Sequence, residues 1–199
     1  MLRDAYDRRV EERVTRPAPA WEIAERDIFL DVLRRERVTA LLELGAATGS
    51  DSAFFKAHGF EVVCIDLSPR MVERCRARGL AAHVMDVADL RFPPVSFGAA
   101  YAMNCLVHVP RAQLRGVLEG ISRVIEPGGL FYLGLYGGRE FEGVSDDDDF
   151  EPKRFFCHYP DEDLRVHVAE FFSLESFRRI PHGWNGLHFQ SLVLRRLPR

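Results

Sequence analysis

Apolar positions along this chain come in two patterns, short solid runs and spaced stripes, and these predict strands and helices in turn. Residues 39–44 (TALLEL), 61–66 (EVVCID), 81–85 (AAHVM), 97–103 (FGAAYAM) and 130–136 (LFYLGLY) are short and almost wholly apolar. That is the pattern of parallel strands covered on both faces. Residues 50–58, 70–78 and 111–125 carry apolar residues at helical spacing, and Gly59, Gly79 and the turn Glu126-Pro127-Gly128-Gly129 stop them. Upstream, residues 2–16 read as a charged, weakly amphipathic helix. Pro17 and Pro19 separate it from a second helix over 21–37, whose apolar face includes Trp21, Ile23, Ile28, Leu30 and Leu33. Downstream, residues 137–159 show no period and are expected to be irregular. A helix follows over 160–170, then two strands, 171–180 and 187–195, around a turn at 181–186. Strands alternating with helices predict an α/β fold with a mostly parallel sheet.

The first strand leads into the most informative stretch, Leu41 to Phe55, LLELGAATGSDSAFF. Gly45, Ala46, Ala47, Thr48 and Gly49 form a small-residue turn between strand and helix, so a ligand can come close to its backbone. The next helix offers unpaired N–H groups at its start. Glu43 is anomalous, because a carboxylate near the end of a buried strand needs a partner. It either caps nearby amides or orders the loop and faces a cationic ligand. Asp66 ends the second strand 21 residues after Gly45, where a carboxylate would meet ribose hydroxyls. Capping the next helix is its other possible role, although Ser68-Pro69 already supplies a cap and first turn.

Composition changes little. With 199 residues, 47% hydrophobic and 29% charged, the chain has the makeup of one ordinary globular domain. A formal charge of −3 argues against binding nucleic acid through phosphate contacts. The four cysteines, Cys64, Cys75, Cys105 and Cys157, have no metal-ligand spacing, so no metal site is expected and a reducing compartment fits. No signal peptide or membrane-length apolar run is visible, which points to a cytoplasmic location and no membrane partner. The run Asp146 to Asp149 reads as a solvated loop.

The loop Gly45-x-Ala47-x-Gly49 has the wrong register for the third glycine of a dinucleotide fingerprint. ELGAATG instead resembles the E/D-x-G-x-G-x-G loop of class I S-adenosylmethionine (SAM) dependent methyltransferases, with Ala47 at the middle glycine. Asp66, Asp86, the segment Asn104-Cys-Leu-Val-His108 and the turn EPGG extend the resemblance, in order, over residues 40–136. It implies a three-layer sandwich whose mostly parallel, seven-stranded sheet closes with an antiparallel last strand, plus extra N-terminal helices. The chain would then be a single domain: an N-terminal cap (1–37), a cofactor-binding core (38–136) and a substrate-side segment (137–199).

The resemblance further implies that Glu43, Gly45, Ala46, Ala47, Gly49, Asp66 and Asn104 bind the cofactor, with Leu67 and Met71 flanking the adenosine. Asp86 and Val87 would read the adenine edge. His108, Tyr6, Tyr136, Arg154, His158, Tyr159 and His182 are the acceptor-side residues, and His108 could serve as general base because histidine titrates near neutrality. Its alternative is a loop histidine bonding local backbone before Pro110. The expected activity is methyl transfer from SAM to an O, N or C atom of a small molecule. A non-catalytic SAM-binding protein and a nicotinamide oxidoreductase are the rivals.

Overall fold

The structure, a computed structural model, describes residues 2–181 and 186–198. Helices α1 (Leu2–Arg8), α2 (Val10–Thr15) and α3 (Ala20–Arg35) precede strand β1 (Ala40–Leu44). The chain then alternates through α4 (Ser50–Ala57), β2 (Glu61–Asp66), α5 (Pro69–Ala77), β3 (Ala81–Val84), β4 (Phe97–Met103), α6 (Arg111–Val124) and β5 (Ile125–Gly137). It finishes with β6 (Phe141–Val144), β7 (Phe155–His158), α7 (Asp161–Ala169), β8 (Phe172–Pro181) and β9 (His188–Arg196). Seven strands form one sheet in the order β3-β2-β1-β4-β5-β9-β8. All pairings are parallel except those of β9, which runs antiparallel to both β5 and β8.

The solid apolar runs are solid because both sheet faces are covered. On one face Phe29 of α3 and Phe55 of α4 pack on Tyr101 and Tyr132, whose rings stack at 4.9 Å. On the other, Leu114, Val117, Leu118 and Ile121 of α6 and Leu164 of α7 pack on Leu42, Ala100, Phe131 and Leu133. Each of these strand and helix side chains is buried. Removing a ring such as Phe29 would cost about 3–5 kcal/mol.

Three expectations differ from the structure. The helix over 2–16 breaks at Arg9, which leaves helical geometry while its guanidinium pairs with Asp149 at 3.1 Å and lies 4.5 Å from the Phe150 ring. Strand β5 begins at Ile125, because the EPGG turn is a bulge inside the strand. Gly128 takes a φ of +76°, and a Cβ on Gly129 would stand 2.6 Å from the Gly98 carbonyl oxygen. Residues 137–159 are not wholly irregular either: β6 and β7 pair as a two-stranded antiparallel ladder, Phe141 opposite His158 and Val144 opposite Phe155.

Candidate active site

Strands β1 and β4 lie side by side, but their chains leave in opposite directions, β1 toward β2 and β4 toward β5. Open α/β sheets bind ligands at the carboxyl ends of such a pair. Here that edge opens into a cavity of about 1110 Å³, roofed by the N-terminal helices and by the β6–β7 segment. A pocket for one small ligand is usually about 300–1,000 Å³, so there is room for two.

The loop after β1 is built by backbone geometry. Gly45, Ala47 and Gly49 all have positive φ, of 71°, 47° and 77°. A Cβ on Gly45 would stand 2.6 Å from Cys105 Sγ, and one on Gly49 would meet Leu80 and Cys75 as closely. Asp66 ties the loop to the second strand: Ala47 N–H donates to its Oδ2 at 2.8 Å and Ser68 N–H to its Oδ1 at 2.9 Å. Burial pushes the Asp66 carboxyl up to about 6. Ser68 caps α5 by accepting from Met71 N–H, so Asp66 is not needed for that. Glu43 is 4% exposed and accepts a hydrogen bond from the Ser52 hydroxyl, with the Ser52 backbone N–H, in the first turn of α4, also directed at its carboxylate. Burial, then the neighbouring Asp51, push its carboxyl well above the usual range. Asp86 is exposed, and its Oδ1 accepts from Ala88 N–H at 2.9 Å. Asn104, just past β4, has a φ of +55°, and its Oδ1 is buried without a partner.

At the other end of the cavity, His108 sits on a single 3-10 turn, Leu106–His108. Its Nδ1 lies 2.8 Å from the Phe155 carbonyl, which can only accept, so Nδ1 carries the hydrogen. The bare Nε2 therefore accepts from the Tyr6 hydroxyl at 2.7 Å. Arg154 Nη1 donates to the Tyr6 oxygen at 3.1 Å and is itself held by Asp148. Burial pulls His108 down to about 4, so it is neutral at pH 7. Tyr6, His108, Tyr136, Arg154 and His158 all line the cavity. The acidic run is not uniformly solvated: the Asp148 side chain is 3% exposed, while Asp146, Asp147 and Asp149 are exposed.

Several expected site residues lie elsewhere. Met71 is fully buried beneath α5 and does not line the cavity, whereas Leu67 and Val87 do. Gly49 also stands back, its role being the close packing against Leu80 and Cys75. Tyr159 is fully buried against Arg111 and His167, outside the lining. His182 falls outside the described residues. Conversely, Arg13 of α2 lines the cavity with its Nε buried and unpartnered, and Asp51 of α4 lines it while paired with Arg26. Nothing in the spacing of a charged, arginine-rich helix marks Arg13 as different from its solvated neighbours.

Residues 41–129 match the family described as "Methyltransferase domain". That match covers just under half of the chain, and it includes the loop after β1, Asp66, Asp86 and Asn104. Among curated relatives, a demethylmenaquinone methyltransferase of Tropheryma whipplei is 34% identical over 93 residues, 45% of this chain and 38% of that protein. The match thus spans well under half the length of that relative. Among solved structures, a 1,6-didemethyltoxoflavin-N1-methyltransferase of Burkholderia thailandensis, with its substrate and S-adenosylhomocysteine bound, superposes with a TM-score of 0.75. It is 20% identical, covering 98% of this chain and 87% of that one. A SAM-dependent methyltransferase of Methanosarcina mazei superposes at 0.71 with 17% identity, covering 80% and 93% of the two chains. At these identities the superpositions show the fold.

SAM is the cofactor that the matched methyltransferase domain implies, and the residues lining the cavity suit it. The orphaned Asn104 Oδ1 is an acceptor without a donor, the kind of group a ligand's ammonium would satisfy. Glu43 and Asp51 put two carboxyl groups on the cavity lining, where a cationic ligand would meet them, and the side-chain-poor Gly45–Thr48 backbone leaves space beside them. No helix among the described residues is long and apolar enough to cross a membrane.

Proposed function

We propose that this protein transfers the methyl group of SAM to a small-molecule acceptor. The observation that carries the reading is one cavity joining two unlike ends. The strand-end acids and the orphaned Asn104 oxygen stand at one end, and an aromatic, histidine-lined compartment at the other. SAM supplies an electrophilic methyl on a sulfonium, so the protein's task is chiefly alignment, which removes up to about 7–11 kcal/mol of a barrier. Asp66 would accept from the ribose hydroxyls, Asp86 and Val87 would bound the adenine, and Leu67 would pack on it. Asn104 and the Gly45–Ala47 backbone would hold the methionine end, with Arg13 near its carboxylate. On the acceptor side, Tyr136 and the Tyr6–His108 pair face the acceptor. Because Nε2 of His108 already holds the Tyr6 hydroxyl hydrogen, an acceptor proton would pass to the Tyr6 oxygen as Tyr6 gives its own to His108.

The test is to incubate the purified protein with methyl-labelled SAM and a low-molecular-weight cell extract. The reading expects S-adenosylhomocysteine to form and the label to appear in a small molecule. Label confined to macromolecules would overturn the small-molecule acceptor. Tight SAM binding with no S-adenosylhomocysteine from any fraction would make the protein a non-catalytic binder.

A further inference from the structure

One wall of the acceptor compartment is a run of rings. Centroids stand 5.5 Å apart for Phe141 and His158, 6.0 Å for His158 and Phe156, 4.9 Å for Phe156 and His108, and 5.7 Å for His108 and Tyr6. All five line the cavity. They come from three separate stretches: α1, the turn after β4, and the β6–β7 ladder. Neither imidazole brings charge at neutral pH. Burial holds both near 4, and for His158 the neighbouring Arg139 cation adds to the effect. Two cations reach the wall: Arg154, neutralised by Asp148, and Arg13, whose guanidinium lies 5.7 Å from the Tyr6 ring centroid and which the methyl-transfer reading gives to the cofactor's carboxylate. Arg139, Asp146, Asp147 and Asp149, which also line the cavity, are exposed. With Arg154 held by Asp148 and Arg13 given to the cofactor, an acceptor recognised through its own carboxylate or ammonium would have to leave water for a compartment with no free buried counter-charge, at a large cost. A flat ring would instead find edges and faces at stacking distances.

One polar atom in this wall has no partner. His158 is 7% exposed, and its Nδ1 is buried with no hydrogen bond. Its own carbonyl is engaged by Arg111 at 3.5 Å, but the ring nitrogen is not. Buried polar atoms without partners are rare and costly, and a ligand is one way to satisfy them.

We propose that the acceptor is a planar, uncharged aromatic or heteroaromatic compound whose polar edge, an O–H or N–H group, hydrogen-bonds His158 while its ring lies along Phe141, Phe156 and His108. This assignment rests on the methyl-transfer reading of the same cavity. His158 is a specificity-determining residue here, and the hydroxyl or ring nitrogen to be methylated lies elsewhere on the ring, toward Tyr6 and Asn104.

The experiment first titrates S-adenosylhomocysteine into the protein by calorimetry; failure at this step would sink the methyl-transfer reading itself. The loaded protein is then titrated with 2,3-dihydroxynaphthalene, 8-hydroxyquinoline, naphthalene, glycine, ethanolamine and hexanoate. The planar polar probes should bind at least tenfold more tightly than the three aliphatic ones. His158→Phe keeps a ring in the wall but removes the nitrogen, so it should weaken 2,3-dihydroxynaphthalene by about tenfold, the loss of one hydrogen bond. Naphthalene, which has no polar edge, should bind both proteins alike. Phe156→Leu should weaken both naphthalenes and serves if His158→Phe does not fold. Tighter binding of an aliphatic acid or amine, no binding of any planar probe, or naphthalenes indifferent to both substitutions would overturn the assignment.

Discussion

At the scale of single residues, the loop after β1 shows how much one methyl group matters. Ala47 holds a φ of +47°, a left-handed conformation that costs an L-residue about 1–2 kcal/mol, while its N–H serves Asp66. Ala47→Gly should relieve this, less the roughly 0.4–1 kcal/mol that a glycine adds to the freedom of the unfolded chain. Urea unfolding should therefore show a net gain of up to about 1 kcal/mol, and a loss would mean the Ala47 methyl is packed rather than strained. His108 gives a pH-dependent prediction. Its folded value of about 4 lies below the unfolded 6.5, so the stability it protects is complete above pH 6.5 and is lost as pH falls from 6.5 to 4. The loss approaches about 3 kcal/mol. Thermal unfolding of His108→Gln should be flatter across that window than the unsubstituted protein, and parallel profiles would refute the burial-driven shift. Glu43, Asp66 and Asp86 were legible at this scale because strand ends place side chains along one sheet edge. Met71 and Tyr159 were not: which way a helix or loop residue turns depends on what packs against it, and both turn into the core.

At the scale of elements, the N-terminal helices act as a clasp across the cavity. On one side the Ser68 hydroxyl donates to the Asp7 carboxylate, Arg70 donates to the Asp7 carbonyl at 2.6 Å, and Arg74 pairs with Glu11. On the other, Arg9 pairs with Asp149, and Tyr6 joins Arg154 and His108. Exposed pairs are worth only about 0–1 kcal/mol each, so the clasp depends on their sum and on what lies beneath it. Bound S-adenosylhomocysteine should slow amide hydrogen exchange across residues 2–15 at least tenfold, and Asp7→Ala combined with Arg9→Ala should remove part of that protection. Unchanged exchange on binding would show that the helices do not cover the ligand. The sequence pattern disclosed the two proline-separated helical segments but not this docking, because charged surface residues carry no mark of their distant partners. The β6–β7 ladder was hidden for a related reason. Its strands are only Phe141–Val144 and Phe155–His158, and a long acidic loop separates them, so the pairing has no local signature.

At the scale of the whole molecule, alternation of solid apolar runs with spaced stripes was enough to read the α/β architecture. The antiparallel β9 and the seven strands also agree with the expectation. The α/β alternation is dictated by burial on two sheet faces, which the pattern along the chain records directly, whereas the seven-strand count and the antiparallel closure were implied by the resemblance. The shape of the cavity is not recorded that way. It depends on where α1, α2 and the β6–β7 segment settle over the sheet edge, and Arg13, Asp51 and Asp148 gain their positions only there. The account's central claim is that this edge holds SAM by way of Asp66 and the Gly45–Gly49 loop. Calorimetric titration of the protein and of Asp66→Ala with S-adenosylhomocysteine and with NAD tests it most directly. The account predicts one S-adenosylhomocysteine per chain, no NAD binding, and a loss in the folded variant of about 1.5–3 kcal/mol, roughly 10- to 150-fold in affinity. Binding of NAD in place of S-adenosylhomocysteine, or an unchanged affinity in a folded Asp66→Ala protein, would contradict it.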